Sequence, residues 1–193
     1  NWVIKGTNKD SGNIPIISAY EFVNSEVATT AAICTAIEQY NLPREALPTT
    51  VLNHADVWQA LLQKMPTTAL IRNLGKITAL GLLDKPQNVT LIENQLTNPT
   101  ILEKARIHPL SVLVASKVYS TGRGIKGDLI WNPNQRINAA LSDSFNLSFG
   151  ALPKSNIRTL VAIDISGSMR QTLANYANMY LLEVAGCMSL ATV

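Results

Sequence analysis

The residues with the most evident chemistry are Asp164, Ser166 and Ser168, in the run Asp164-Ile165-Ser166-Gly167-Ser168. One carboxylate and two hydroxyls in a single turn are hard oxygen ligands, the set that suits Mg²⁺ or Mn²⁺ with water filling the rest of an octahedron. The same residues could instead make an aspartate-capped helix start with ordinary turn-forming serines. Their neighbours favour metal. Residues 157–163, IRTLVAI, are a short apolar, β-branched run that reads as a buried parallel strand, and 170–193 read as a helix. Strand, ligand-bearing turn and helix make the first βα unit of a doubly wound domain, where ligands gather at the carboxyl ends of strands.

The second candidate chemistry is a cluster of positive charge. The net charge of +3 is uneven: −3 over residues 1–56, +6 over 57–127 and zero over 128–193. From Lys104 to Gly127 the chain carries Lys104, Arg106, Lys117, Arg123 and Lys126 without a carboxylate. Such clustering attracts a phosphate backbone, because each neutralised phosphate releases counterions. It would equally suit a solvated face balanced by the acidic first quarter. Arg72 and Lys76 add one more pair, four apart and so adjacent on a helix. Tyr119–Trp131, YSTGRGIKGDLIW, has three glycines in six residues but no Walker ending, so a helix C-cap at Gly122 followed by a loop is the better reading than a phosphate cradle.

These residues need elements to hold them, and up to about residue 150 the spacing is helical. Helices are predicted from Pro15 to about Asn24, from Glu26 to Tyr40 with Ser25 as cap, and from Asn53 or Asp56 to Pro66. Another, capped by Thr67, buries Leu70, Ile71, Leu74, Ile77 and Thr78 and presents Arg72, Asn73 and Lys76 on its other side. Others fit 88–97, 99–106, 109–120 and 133–147. Consecutive helices joined by short Pro-containing turns suggest an α-solenoid, although no internal sequence repeat is visible. The expected division is a helical domain over 1–152 and the start of an α/β domain over 153–193.

Composition excludes several classes. With 47% hydrophobic and 15% charged residues the chain is neither disordered nor fibrous. Cys34 and Cys187 stand far apart among apolar neighbours, which excludes a CxxC motif or metal knuckle and implies reduced thiols in the cytoplasm. No stretch reaches 18 apolar residues, so no membrane span is expected. His54 and His108 are the only histidines, and neither sits in a triad or metal-ligand pattern, which argues against an enzyme.

A resemblance then becomes visible. VAIDISGSM (161–169) resembles the first motif of the von Willebrand factor A fold, its metal-ion-dependent adhesion site. LPREALPT (42–49), WQALLQKMPTTALIRNLGKITALGLL (58–83) and KARIHPLSVLVASKVYSTGRGIKGDLIWNP (104–133) resemble, in order, segments of the Ro ribonucleoprotein family, whose helical part is the TROVE module. The resemblance implies HEAT-like repeats followed by an A-type domain. It implies small structured non-coding Y RNA on a basic outer surface, single-stranded ends of misfolded RNA in a central hole, and RNA surveillance without catalysis. An exoribonuclease reached through the RNA is a further implied partner.

Carried onto matching positions, Arg72, Lys76, Lys104, Arg106 and His108 would face RNA, with Arg123 and Lys126 as loop contacts. For His108, capping the helix that opens at Pro109 is an equal expectation. The A-type site implies Mg²⁺ on Asp164, Ser166 and Ser168, with a threonine and an aspartate from later loops that this sequence does not contain. The chain is therefore expected to be one piece of a longer protein, with the remainder of the A-type domain as its complement. A different function class fits the same motif: a metal-dependent protein-interaction module on a helical scaffold.

Overall fold

The computed structural model describes residues 14–153, 156–173 and 179–192. Nine α-helices are present among them: α1 Pro15–Val23, α2 Thr30–Tyr40, α3 Ala55–Leu62, α4 Thr67–Ala79, α5 Pro86–Leu96, α6 Pro99–Lys104, α7 Pro109–Thr121, α8 Gln135–Ser148 and α9 Leu181–Thr192. The protein is mostly helical, as the apolar spacing requires, and its contacts divide it into two compact units between Met65 and Pro66.

In the first unit α1 packs on α2 and α2 on α3. Ile33, Ile37, Trp58, Leu61 and Leu62 are buried in this unit, and the Trp58 indole donates to the Leu52 carbonyl at 2.8 Å. The expected cap at Ser25 is displaced. The Ser25 hydroxyl turns back to the Phe22 carbonyl (2.7 Å) at the end of α1, and Thr29 caps α2 by accepting from Ala32 N–H. A short polar side chain can serve the helix behind it or the one ahead.

In the second unit α8 is the central element, packed against α5, α6 and α7. Its buried Ile137, Ala140, Leu141, Ser144 and Ser148 recur at helical spacing. α4 buries Leu70, Ile71, Leu74 and Ile77 as expected and leaves Thr78 half-buried. Thr67 proves to be the first helical residue rather than the cap, and its hydroxyl accepts from Gln95 on α5 at 3.0 Å. α5, α6 and α7 each open with proline at the first helical position, where the missing N–H costs nothing.

The expected strand over 157–163 is not formed. Among the described residues there is no sheet, only two isolated bridges, Arg123 with Ile130 and Thr172 with Tyr180. Leu160 is 97% exposed, and Ile157 and Ile163 also face solvent. The physical reason is that a parallel strand is stable only with neighbours on its edges and cover on both faces, and the described residues supply neither. The helix expected from 170 also starts later. Gly167–Arg170 is a 3₁₀ turn, and α9 begins at Leu181 after Leu181 N–H bonds the Gln171 carbonyl at 3.0 Å. Within α9 Cys187 is buried and Met188 exposed, and Tyr180, just before the helix, is exposed as well. α9 packs on α7.

Candidate nucleic-acid interface and metal centre

The basic residues singled out from sequence fall in three places. Arg72 is exposed on α4, with Lys76 half-buried one turn further on. Lys104, Arg106 and His108 occupy the connection from α6 to α7. Arg123 and Lys126 are exposed on the loop after α7. α4 packs against α7. The second and third groups stand at opposite ends of α7, whose 13 residues span about 20 Å. The structure therefore spreads the charges over α4 and the two ends of α7 rather than gathering them at a point.

The α6–α7 connection is closely determined. Arg106 N–H bonds the Glu103 carbonyl (3.0 Å) and Ile107 N–H bonds the Leu102 carbonyl (3.2 Å), the paired bonds of a Schellman helix end. The hydrophobic contact that accompanies this motif joins positions Leu102 and Ile107, both buried. Arg106 holds the left-handed position at φ +50°, which glycine usually fills. Its exposed guanidinium is thus fixed at its root by backbone bonds and a buried apolar pair. His108 caps α7, its Nδ1 accepting from Leu110 N–H at 3.2 Å. The capping expectation holds, and it leaves Nε2 as the protonated nitrogen, able to donate.

The loop after α7 is a short hairpin rather than a phosphate cradle. Gly122 ends α7 at φ +69°, as the C-cap reading expects, and a Cβ there would lie 2.7 Å from the Trp131 carbonyl oxygen. Trp131 N–H bonds the Gly122 carbonyl, and Gly124 N–H the Leu129 carbonyl, both at 2.9 Å. Tyr119 anchors the base. Its ring stacks on Trp131, its carbonyl accepts from the indole at 2.9 Å, and its hydroxyl accepts from Asn134 N–H and bonds Thr78.

Lys117, from the same basic run, is not available in this way. Its ammonium pairs with Glu183 of α9. Burial opposes ionisation of Glu183, but its bonds to Lys117 and to Tyr180 N–H, with the lysine's charge, hold the carboxyl below the ordinary glutamate range. Arg136, which the sequence did not single out, is likewise spent in a two-pronged pair with Glu93. Nothing local in the sequence signals either pairing, since the partners lie 66 and 43 residues away.

Asp164, Ser166 and Ser168 do come together. Asp164 Oδ1 accepts from Ser166 N–H at 2.8 Å, and the two serine hydroxyl oxygens are 2.9 Å apart. The Ser166 backbone N–H, helped by its hydroxyl, lowers the Asp164 carboxyl below its ordinary range and keeps it ionised. That 2.9 Å contact is a hydrogen bond of ordinary length between the two hydroxyls, which with the carboxylate leaves three oxygen ligands in one turn. Among the described residues no three His, Cys, Asp or Glu side chains form a group able to hold a metal ion. No helix among them is long and apolar enough to cross a membrane.

Comparison with known proteins adds an independent line. Residues 38–118 match the TROVE domain. The chain is 40% identical over 168 residues to RNA-binding protein RO60 of Caenorhabditis elegans, covering 86% of this chain and 26% of that protein. It is 40% identical over 147 residues to RNA-binding protein RO60 of Deinococcus radiodurans, covering 75% of this chain and 28% of that one. The crystal structure of the Deinococcus radiodurans Ro (RSR) protein matches with a TM-score of 0.85 and 35% identity, over 99% of this chain and 39% of its own. The chain spans about a quarter of the length of the curated relatives it matches.

Proposed function

This chain belongs to the Ro family over the TROVE-containing part that it spans, and on that premise we propose that it binds RNA without catalysing a reaction, with α7, its two ends and the Arg72–Lys76 side of the adjoining α4 as the contact surface. The observation that carries this reading is the Lys104–Arg106–His108 connection. Three nitrogen-bearing side chains stand on a backbone fixed by a Schellman end and a helix cap, one of them an arginine at a position where glycine costs less. Fixed cations suit phosphate contacts, which position a nucleic acid without reading its sequence. Arg123 and Lys126 extend the surface on a hairpin anchored by Tyr119 and Trp131. The ligands are small structured non-coding RNA and single-stranded RNA ends, with an exoribonuclease reached through the RNA. Both cysteines are free thiols, kept protonated by burial and, for Cys34, also by Asp56 and Glu38, which suits a cytoplasmic location.

The test is a titration of a structured RNA hairpin against KCl. The logarithm of affinity falls linearly with the logarithm of salt, and Arg72→Glu with Lys76→Glu lowers both affinity and slope. A salt-independent affinity, or one untouched by the double substitution and by changes at Lys104 and Arg106, overturns the reading.

The A-type half of the proposal rests on the Asp164 turn. Residues 157–163 would be the first strand of a doubly wound sheet completed by strands beyond those described, and HEAT-like repeats would precede it. Asp164, Ser166 and Ser168 would hold Mg²⁺, which could in turn receive a carboxylate from a protein partner. What supports this is the meeting of one carboxylate and two hydroxyls in a single exposed turn. Calorimetry with Mg²⁺ is expected to show weak binding by this chain, lost in Asp164→Ala. Equal heats from both proteins would remove the metal site.

A further inference from the structure

Beside the hairpin lies a cleft that no contact surface above uses. The C-terminal end of α4, the turn Leu82–Asp84 and residues 130–134 line a half-open depression of about 400 Å³. Its walls differ in chemistry. Ile130 and Pro133 are apolar, and Ile130 is 70% exposed. Two of the polar groups are already engaged: Thr78 bonds the Leu74 carbonyl and the Tyr119 hydroxyl, and Asn134 caps α8. Asp84 differs. Its carboxylate is exposed and carries no ion pair among the described residues, although it stands in the most basic third of the chain.

We propose that this cleft takes one unpaired guanine of a bound RNA, an inference that rests on the RNA-binding reading and assigns it a base-specific contact. A carboxylate offers two acceptors side by side. Guanine is the base whose pairing edge presents two parallel donors, the ring N1–H and the exocyclic amine. Adenine and cytosine place an acceptor beside their amine, which a carboxylate repels, and uracil presents one N–H between two carbonyls. The base must be unpaired, because pairing consumes that edge. Ile130 and Pro133 offer the cleft's apolar surface to the base, and Arg123, exposed and bridged to Ile130 across the hairpin, is the nearest of the loop cations along the chain. None of the charged side chains at the α6–α7 connection is needed for this contact.

The experiment compares a single-stranded uridine nonamer with the same nonamer carrying one central guanosine, and guanosine with uridine monophosphate, each read by tryptophan fluorescence. The full chain is expected to favour the guanosine nonamer by at least about fivefold, the lower end of a two-bond base contact. Asp84→Ala brings the ratio within about twofold of unity while the uridine nonamer binds as before. Ile130→Ala, on an exposed side chain that cannot disturb the core, also weakens guanosine monophosphate. A preference absent in the unaltered chain, or persisting in Asp84→Ala, overturns the proposal. The mononucleotide keeps the two readings apart: guanosine monophosphate bound without RNA affinity sinks the RNA reading and leaves the cleft assignment standing, whereas RNA bound without guanine preference does the reverse.

Discussion

The turn at Arg106 and the turn at Asp164 are both short, exposed and rich in groups that bind ligands, yet they are held in different ways. Arg106 sits between Leu102 and Ile107, both buried, and its backbone bonds close a helix end. Asp164 sits between Ile163 and Ile165, both exposed; its carboxylate accepts from Ser166 N–H, and the Ser166 and Ser168 hydroxyls bond each other. One site is supported by a core, the other by itself. A ligand at the first meets groups already in place, whereas a ligand at the second must supply part of the order.

The largest expected effect breaks the support. Leu102→Ala should destabilise the chain by about 2–5 kcal/mol, the cost of a fully buried leucine, while Ile163→Ala should change stability by less than about 0.5 kcal/mol. Urea unfolding of the two variants measures the contrast directly. Equal losses would show that the Asp164 turn has a core behind it after all.

A smaller effect sharpens it. Arg106→Gly relieves a left-handed arginine and should stabilise the chain by up to about 1 kcal/mol, because only glycine adopts that conformation without a Cβ penalty. The same change removes a phosphate contact, so stability and RNA affinity should move in opposite directions. At the neighbouring cap, His108→Ala should cost about 1 kcal/mol and His108→Asn much less, since asparagine is a strong N-cap. Thermal unfolding of both resolves the order.

Much of the helical part was legible because its signals are local. Pro99 and Pro109 open helices where the sequence places them, Gly122 ends one as a left-handed cap, and Pro86 starts its helix two residues before the expected 88. Ser25 misled because its hydroxyl had two helices to choose between. The strand over 157–163 could not be settled locally, since its pattern states what the segment would bury but not whether neighbours are present. Of the site, the residue types were legible and their availability was not. Lys117 and Arg136 look as free in sequence as Lys104, and only the fold brings Glu183 and Glu93 to them. The cleft at Asp84 was missed for the same reason, as α4 and the hairpin meet across some fifty residues.

The smallest expected effect concerns the Lys117–Glu183 pair between α7 and α9. Its glutamate is depressed in the folded chain, so the stability it adds is complete above the ordinary carboxylate range and is lost as pH falls through the lower folded value. Both side chains are about a third exposed, so screening limits the pair to roughly 1 kcal/mol or less. Glu183→Gln should therefore match the unaltered chain in acid and fall slightly below it at neutral pH, read from urea midpoints at the two pH values. A difference that grew toward acid would contradict the sign.

The central claim is that the core-backed turn after α6 binds RNA phosphates. The most direct measurement is the salt dependence of RNA affinity for the unaltered chain and for Lys104→Ala with Arg106→Gly, which removes two cations without straining the backbone. The slope of log affinity against log salt should fall by between about one and two, roughly one per lost phosphate contact, with helical content unchanged and RNAs of different sequence affected alike. An unchanged slope, or a loss confined to one sequence, would contradict it.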